Sequence, residues 1–581
     1  MNAQNTSSHT DHCSTPAKAA SRGLFSIAVQ PDCVRMSSRL RFLLIVVACV
    51  VFSGWFCAPL MAQEEGGEHA AWRFWGGNIR NTHSSLVEHR LSADNVSNLA
   101  VKWTFTTGGD VTATPTVKDG AVYVPDFAGN LFKIDAQTGV AIWSVKISAY
   151  TGNPKSFSRN SPAIVGGMII LGDQVSATVL AINKDTGTLI WKTLVDPLPA
   201  ARITNSPVVF GDRVYVGVSS NEEVFALTIP NYVLGFRGSV RALDLNTGAV
   251  VWTTYTVPDT DYTGAAVWGS NFAVDPERGS LYVSTGDNYS IPEVASLCLE
   301  GATSVQSQLA CLDPNDYVDS VLSLDLQDGH IKWADRLQGA DTFLATCLFP
   351  GIPHRIPCPV PQGPDYDFGS GPNLFTIAKH DHDRGDGDHD RDDRRIDIVG
   401  AGEKSGIYWA LKADDGDVLW STQVGPGGHY GGIEWGSAVD DRHIYVAIDN
   451  DDHHTPYTLA PDHTITVNAG SWAALDPADG TILWQIPATG NDPKNPAFPA
   501  PALGQVSAAN GVVYAGSMSG DMVAIEAKTG EILWKFASGG SVVCGPSIVD
   551  GTVYWGSGYA NLGKGIGNNK LYAFTVPGLG E

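Results

Sequence analysis

Basic side chains are scarce in this sequence. Its 581 residues contain 37 Lys and Arg against 61 Asp and Glu, which gives a net charge of −24 at pH 7. A surface that binds nucleic acid or an anionic membrane needs clustered positive charge. The composition therefore argues against both kinds of partner.

Long apolar runs are also scarce, and the one that occurs lies near the N-terminus. Arg39 and Arg41 precede an apolar stretch over residues 42–56. This pattern over residues 36–62 predicts a secretory signal peptide, with an uncleaved, anchored form as the alternative. Residues 1–35 are then an over-long start or a disordered leader. We expect the mature chain in the periplasm or outside the cell, without stable membrane insertion.

Cysteine is infrequent too, and its arrangement excludes covalent haem, because no Cys-x-x-Cys-His motif occurs. Five cysteines follow the predicted signal peptide: Cys298, Cys311, Cys347, Cys358 and Cys544. In an oxidising compartment we expect two local disulfides, Cys298–Cys311 and Cys347–Cys358, although other pairings remain open. Cys544 stands in an apolar strand pattern and is predicted to be a buried free thiol.

What the sequence does contain is a repeat. In each unit an apolar strand, a turn with Thr-Gly or Asp-Gly and a second strand end on a tryptophan. The repeat ends at Trp143, Trp191, Trp252, Trp333, Trp420, Trp484 and Trp534, and Trp103 has the closing strand without its turn. Glycine supplies the positive φ that such a turn requires. A further strand pair precedes most turns, and four short strands per unit are typical of a β-propeller blade.

The repeats predict an all-β fold, an eight-bladed β-propeller over residues 71–581. We expect the N-terminal strand around Trp103 to complete the blade that the last strands begin, because ring closure leaves no free sheet edge. Core packing alone accounts for each of these tryptophans. The architecture therefore names no activity by itself.

A charged tract, residues 380–395, interrupts the repeat. Its Asp and His residues resemble a metal-binding loop, but Arg391 stands where an EF-hand requires glycine. Mixed charge without an apolar anchor is typical of a solvated loop. We expect a flexible hairpin extension here rather than a metal site.

Polar residues that break the repeat indicate a candidate site. They fall in five segments: residues 203–207, 219–225, 267–290, 363–373 and 400–411. Together the segments offer carboxylates, hydroxyls, one cation (Lys404) and Trp268. Carboxylates from separate segments suit a hard cation such as Ca²⁺, and an indole followed by Gly269 can present a flat face to a planar ring.

These segments resemble the pyrroloquinoline quinone (PQQ)-dependent alcohol dehydrogenases, and within them most of all the polyvinyl alcohol dehydrogenases. The motifs that carry the resemblance are SSNEEVF, FRGSVRALD, STGDNYS, PDYDFGSGPNLF, GAGEKSGIYWAL and GGIEWGSA. The resemblance implies PQQ at the axis of the propeller, a Ca²⁺ that bridges cofactor and protein, and an aspartate as general base. It also implies oxidation of secondary alcohol groups, for example those of polyvinyl alcohol, with electrons passed to an external cytochrome c.

The resemblance further implies roles for individual residues. Asp367 would be both the general base and a metal ligand. Glu223, rather than its neighbour Glu222, would be a second ligand, and Asp287 a third in place of the usual asparagine. The implied cofactor contacts are Lys404 at the quinone carbonyls, where it also assists catalysis, Trp268 beneath the ring, Thr204 and Ser220 at the cofactor carboxylates, and, as a weaker match, Asn450.

Two departures from the family pattern leave alternatives open. The adjacent cysteines that cover the cofactor in many relatives are absent, so Tyr232 or Phe236 covers it or that face stays open. Gly369 stands where lanthanide-type relatives have an extra aspartate, which favours Ca²⁺. With the register shifted by two residues, Asp365 would be the base and Asp367 the extra ligand.

Two other functions compete with the main prediction. One is a non-enzymatic propeller scaffold of the outer-membrane assembly type. The other is a PQQ dehydrogenase that acts on a small alcohol or a sugar.

Overall fold

Antiparallel sheets of four short strands follow one another along the chain in the computed structural model, and eight of them form the blades of a β-propeller. The structure describes residues 71–269, 271–378, 395–453 and 455–579. The predicted leader, the signal peptide and the charged tract up to residue 394 lie outside these ranges. Within them, no helix is long and apolar enough to cross a membrane.

The first four blades contain these strands: Thr116–Lys118, Ala121–Pro125, Asn130–Asp135 and Ala141–Lys146 in blade 1; Ala163–Val165, Met168–Asp173, Thr178–Asn183 and Leu189–Leu194 in blade 2; Val208–Phe210, Arg213–Ser220, Ser239–Asp244 and Val250–Tyr255 in blade 3; and Ala273–Asp275, Ser280–Ser284, Ser320–Asp325 and Ile331–Arg336 in blade 4.

The other four contain Asn373–Ala378, Arg395–Gly402, Ile407–Lys412 and Val418–Gln423 in blade 5; Ala438–Val439, Ile444–Ile448, Ser471–Leu475 and Ile482–Pro487 in blade 6; Ser507–Ala509, Val512–Gly516, Asp521–Glu526 and Ile532–Ala537 in blade 7; and Ser547–Val549, Thr552–Ser557, Lys570–Thr575 and Ala100–Thr106 in blade 8.

Blade 8 joins the two ends of the described chain. Ala100–Thr106 pairs antiparallel with Lys570–Thr575, and Trp103 lies opposite Ala573. The predicted ring closure by the N-terminal strand is therefore confirmed, as is the prediction of eight blades.

The remaining elements are short. The helices are Ser148–Thr151, Glu222–Thr228, Glu293–Leu299 and Val305–Leu309, with 3₁₀ turns at Val96–Asn98, Ala345–Cys347 and Asn561–Gly563. The additional strands are Ser84–Ser85, Ala201–Arg202, Thr263–Gly264, Asn288–Ser290, Tyr457–Thr458 and Thr466–Val467. Most of the helices lie in the insertions within and between blades 3, 4 and 5.

The repeated tryptophans join each blade to the next. In every case the indole Nε1 donates a hydrogen bond to a backbone carbonyl of the following blade, or of the segment that leads into it. The pairs are Trp103–Ala136, Trp143–Lys184, Trp191–Leu245, Trp252–Leu326, Trp333–Ala413, Trp420–Pro477, Trp484–Ala527 and Trp534–Leu99, at 2.9–3.3 Å.

The turn glycines complete this contact between blades. Gly139 has a φ of +71°, and a Cβ added to it would lie 2.7 Å from the indole of Trp103. Glycine is therefore required at this position for two reasons: the backbone has a positive φ, and the Trp103 ring occupies the space that a Cβ would take. This explains why Gly and Trp recur together in the sequence.

The cysteines lie as predicted. Cys298–Cys311 and Cys347–Cys358 form two local disulfides, and Cys544 is a buried free thiol. Both disulfides close loops within the long insertions of blade 4 and of the connection from blade 4 to blade 5.

Candidate active site

The predicted site residues occupy two kinds of position that recur from blade to blade. One kind lies just past the end of a second strand, and its members are Glu223 in blade 3, Asp287 in blade 4, Lys404 in blade 5 and Asn450 in blade 6. The other lies in the segment that leads into a first strand, and its members are Thr204, Trp268 and Asp367, before blades 3, 4 and 5. Because first and second strands are antiparallel, both kinds of position lie at the same end of their blades.

Three aspartates form a compact cluster at this end. Ligand oxygens of Asp287, Asp365 and Asp367 all lie within 4.8 Å of one another, and the three side chains are buried. The backbone N–H of Asp287 donates to Oδ1 of Asp367 at 2.6 Å. Oδ2 of Asp287 is buried and has no hydrogen-bond partner among the described residues. Buried carboxylates this close together require a cation or a bound proton to offset their repulsion.

Lys404 supplies one positive charge to the cluster. Its Nζ lies 2.7 Å from Oδ1 of Asp365 and 2.7 Å from Oδ2 of Asp367. Burial opposes ionisation of Asp367, but Lys404 and the Asp287 N–H outweigh it, so the pKa of Asp367 is lowered. Burial, followed by the neighbouring carboxylates, raises the pKa of Asp287 well above its usual range. Burial likewise raises the pKa of Asp365, against the opposing effect of Lys404. Asp367 is thus the member of the cluster that is held ionised.

The two adjacent glutamates of helix Glu222–Thr228 have different surroundings. Glu222 is buried and accepts hydrogen bonds from the Tyr232 hydroxyl at 2.9 Å and from the N–H groups of Gly235 and Phe236 at 3.1 and 2.9 Å. Its carboxylate oxygens are therefore occupied in holding the loop that follows the helix.

Glu223 instead interacts electrostatically with the aspartate cluster. Burial, followed by the charge of Asp367, raises the pKa of Glu223 to about 7, while Lys404 and a hydrogen bond with Tyr289 oppose the shift. Tyr289 is fully buried and follows Asp287 by two residues. Glu223 lies outside the compact group of three but belongs to the same electrostatic environment.

Two indoles and an arginine lie next to the cluster. Nζ of Lys404 lies 5.3 Å from the centroid of the half-buried Trp268 ring, and the centroids of Trp268 and Trp435 are 6.0 Å apart in an edge-to-face arrangement. The Arg159 guanidinium lies 4.4 Å from the Trp435 centroid and 5.9 Å from that of Trp268. Arg159 makes two long hydrogen bonds, both 3.5 Å, to the carbonyls of Thr204 and Trp268.

Comparison with known proteins identifies what this arrangement belongs to. The chain is 30% identical over 551 residues to a polyvinylalcohol dehydrogenase of a Pseudomonas species, a match that covers 87% of this chain and 77% of the relative. A polyvinylalcohol dehydrogenase of Sphingopyxis sp. (strain 113P3) is 28% identical over 565 residues, covering 90% and 79%. The chain belongs to the PQQ-dependent alcohol dehydrogenase family.

Other matches to this PQQ-dependent alcohol dehydrogenase agree on the fold. The crystal structure of the quinohemoprotein alcohol dehydrogenase from Comamonas testosteroni superposes with a TM-score of 0.64 at 20% identity, over 88% of this chain and 81% of that one. A family model described as outer membrane protein assembly factor BamB matches residues 88–233 and 468–576. The similarity to polyvinylalcohol dehydrogenases spans far more of the chain, so this is an alcohol-oxidising quinoprotein and the scaffold alternative is less supported.

The structure of the dehydrogenase brings most of the predicted site residues together. Asp287, Asp367, Lys404 and Trp268 surround one position, and Thr204 adjoins it, since its Oγ1 donates to the Trp268 carbonyl at 2.8 Å. Ser220 lies beside Glu223, where its Oγ accepts from the Glu222 N–H at 3.1 Å. Asn450 differs, because its side chain donates to Thr455 of its own loop at 3.2 Å.

One alternative for the dehydrogenase is not supported. Phe236 is fully buried and its ring stacks on Tyr289 at 6.1 Å, so it is not free to cover a cofactor. The Tyr232 hydroxyl donates to Glu222. Asp365 has a φ of +62° and lies in the aspartate cluster, so the register that makes Asp365 the base and Asp367 the extra ligand stays open.

Three residues at this site escaped prediction from the sequence: Arg159, Tyr289 and Trp435. Arg159 lies with Lys155 in the polar loop ahead of blade 2, and Trp435 lies within the motif GGIEWGSA before blade 6. Each stands at or near one of the two recurring positions described above. A comparison of those positions across all the blades could have found Arg159 and Trp435.

Proposed function

We propose that this dehydrogenase oxidises secondary alcohol groups, including those of polyvinyl alcohol, with Asp367 as the general base. The observation that carries the proposal is the buried ion pair of Lys404 with Asp365 and Asp367 beside the ring of Trp268. The similarity to two polyvinylalcohol dehydrogenases supports the choice of substrate.

The donor set fits a bound cation. Asp287 and Asp367 offer carboxylate oxygens to it, Glu223 lies nearby, and Asp365 adds a further carboxylate. The buried Oδ2 of Asp287, which has no partner among the described residues, is the atom that gains most from a cation. Oxygen donors of this kind suit Ca²⁺. The cluster contains more carboxylates than the single charge of Lys404 can neutralise. Binding of a trivalent cation should therefore be compared with binding of Ca²⁺.

The surroundings also fit a planar, anionic cofactor such as PQQ. Trp268 offers a ring face, Arg159 a cation and Thr204 a hydroxyl, and the buried Nε1 of Trp435 has no partner among the described residues. A cavity of about 30 Å³, lined in part by Arg159, Thr204 and Trp435, lies beside these residues, and we infer that PQQ enlarges it by moving a side chain. Arg159, which has the longest hydrogen bonds, loses least by moving.

In the proposed reaction, Asp367 accepts the proton of the substrate hydroxyl. Lys404 keeps that carboxylate ionised before the reaction, and its ammonium group stabilises negative charge that develops next to Trp268. Bound PQQ supplies the electrophile that takes up the hydride from the carbinol carbon. Burial of the cluster excludes water from the proton acceptor.

The route of the electrons and the location of the protein belong to the same proposal. The sequence has no Cys-x-x-Cys-His motif, so we propose that electrons pass to a separate cytochrome c. Export to the periplasm or beyond accords with the two disulfides and with the signal-like sequence at residues 36–62.

Reconstitution of the purified protein tests the proposal. Dye reduction with polyvinyl alcohol and with 2,4-pentanediol should require both PQQ and Ca²⁺. Replacing Ca²⁺ by La³⁺ shows whether the site prefers a divalent or a trivalent cation. Calorimetry with PQQ gives a readout independent of turnover. The proposal fails if PQQ does not bind, or if it binds and neither alcohol reduces the dye.

A further inference from the structure

Three insertions surround the aspartate cluster and depart from the repeat. They are residues 221–238 in blade 3, 285–319 in blade 4 and 337–372 between blades 4 and 5. Each contains a residue of the site: Glu223, Asp287 and Asp365 respectively. Each insertion therefore joins a residue of the site to an exposed segment of the same loop.

The insertions are tied to one another. The Asn231 N–H donates to the His354 carbonyl at 2.9 Å, and Nε of Arg355 donates to the Leu227 carbonyl. The Ser296 hydroxyl donates to the Val360 carbonyl. Together with the disulfides Cys298–Cys311 and Cys347–Cys358, these bonds hold the three insertions as one surface, which we call the insert surface.

The insert surface exposes large apolar side chains. Val233 is 81% exposed, Val294 76% and Val360 72%. Others that are at least two-fifths exposed are Val224, Ile229, Leu297, Val305, Phe349 and Ile352. Exposed apolar side chains are normal when scattered singly, but a cluster beside an active site indicates a binding surface.

The parts of the insert surface that carry the exposed apolar side chains contain little charge, in a protein whose net charge is −24. Residues 224–236 include no charged side chain, and residues 343–364 include one, Arg355, whose Nε is engaged by Leu227. Within 291–312 the acidic residues are Glu293 and Glu300. A redox protein that docks through complementary charge would find little to recognise here.

The path from this surface to the cluster is short along the chain. The Phe343 N–H donates to the Asn288 carbonyl at 2.9 Å, next to Asp287, and the ring of Phe343 stacks on His429 at 6.3 Å. Phe343 opens the segment that contains the disulfide Cys347–Cys358, and Asp365 closely follows the end of that segment.

We propose that the insert surface binds a stretch of an uncharged polymeric alcohol, several repeat units long, while one carbinol of the polymer reaches Asp367. The hydrocarbon backbone of such a polymer contacts exposed valine, leucine and phenylalanine, and few charged side chains, among them Glu293 and Glu300, lie in the same segments. This inference rests on the proposed function, and it assigns the preference for a polymer to the insert surface rather than to the cluster.

The test compares a polymer with a short analogue of it. In the holoenzyme we would combine Val233→Ser, Phe349→Ser and Val360→Ser, none of which changes a residue of the cluster. The matched control is Ile142→Ser with Leu194→Ser, which removes apolar side chains of similar exposure (52% and 57%) from the outer strands of blades 1 and 2. KM and kcat are measured with polyvinyl alcohol and with 2,4-pentanediol, and binding of fluorescein-labelled polyvinyl alcohol by anisotropy.

We expect the triple variant to raise KM for polyvinyl alcohol and the Kd of the labelled polymer at least fivefold. Values for 2,4-pentanediol, and all values for the control variant, should stay within twofold of those of the parent. KM for cytochrome c and the oligomeric state, by light scattering, are measured alongside. Unchanged polymer binding overturns the inference. An effect of the triple variant that is confined to KM for cytochrome c or to the oligomeric state overturns it too. If the parent enzyme oxidises neither polyvinyl alcohol nor 2,4-pentanediol, the proposed function has failed, whereas labelled-polymer binding still tests the surface.

Discussion

The ammonium group of Lys404 lies 2.7 Å from a carboxylate oxygen of Asp367, and both side chains are buried at the end of blade 5. The same ammonium group lies equally close to Asp365. One cation thus holds two of the three aspartates of the cluster, and the lowered pKa of Asp367 follows from it. Which of the two aspartates accepts the substrate proton is the first point to test.

Asp367→Asn should abolish turnover with PQQ still bound. A general base contributes about 10²–10⁴-fold to the rate, so dye reduction should fall at least a hundredfold. The measurement is the rate with 2,4-pentanediol at saturating PQQ and Ca²⁺, with the bound cofactor followed by its absorbance. Asp365→Asn is the matched control and should keep the larger share of activity. If the two variants exchange these behaviours, Asp365 is the base.

Lys404→Met should lower both the stability of the apoprotein and its affinity for PQQ. The buried carboxylates lose their cation, which costs roughly 3 kcal/mol or less because Asp365 can take up a proton instead. We expect a lower midpoint of thermal unfolding for the apoprotein and weaker PQQ binding by calorimetry. Lys404→Arg keeps the charge and should restore most of the apoprotein stability. Parental stability and PQQ affinity in Lys404→Met would contradict the importance of this ion pair.

Arg159→Ala should impair PQQ binding while the apoprotein keeps its stability. In the structure the guanidinium makes two hydrogen bonds at 3.5 Å, so the fold loses little when it is removed. A charge-assisted hydrogen bond to a cofactor carboxylate contributes about 1.5–3 kcal/mol, which corresponds to a Kd more than tenfold higher. Calorimetric titration with PQQ measures this, and Arg159→Lys should lie between the two. An unchanged Kd in Arg159→Ala would remove Arg159 from the cofactor site.

Gly139→Ala should destabilise the propeller through contact between blades. Gly139 and Gly120 share a φ of +71°, but an added Cβ at Gly139 lies 2.7 Å from the Trp103 ring, whereas at Gly120 nothing lies within 4 Å. Gly120→Ala therefore reports backbone strain alone, about 1 kcal/mol. Gly139→Ala adds roughly 1–3 kcal/mol of overpacking. Thermal unfolding at one scan rate should rank the midpoints as parent, Gly120→Ala, then Gly139→Ala, and equal midpoints for the two variants would refute the packing argument.

Much of the fold could be predicted from the sequence because the repeat is a local pattern with a local cause. Each turn glycine and each closing tryptophan follows from a contact that recurs between neighbouring blades, as Trp103 with Gly139 illustrates. The closure of blade 8 by residues 100–106 could be predicted too, since an unclosed ring would leave a free strand edge.

The candidate site could be predicted less completely. The motifs indicated Asp367, Lys404, Glu223 and Trp268, and the structure brings these side chains close to one another. Tyr289 lies within the motif STGDNYS but was not assigned a role, and Arg159 lies in a segment that none of the quoted motifs includes. Phe236 was misjudged because a sequence does not reveal which aromatic side chain of a loop packs inward.

The sequence by itself determined the number of blades, the order of strands, the local disulfides and the resemblance to quinoprotein dehydrogenases, because each depends on residues that are close in the chain or on a repeated spacing. Tertiary structure alone decided that Asp365 joins Asp287 and Asp367 and that Glu222 holds a loop while Glu223 interacts with the charge of Asp367. It also decided that hydrogen bonds join three insertions that expose apolar side chains. These features depend on contacts between segments that are far apart in the chain; Glu223 and Asp367, for example, are 144 residues apart. Such contacts form only when neighbouring blades pack against one another.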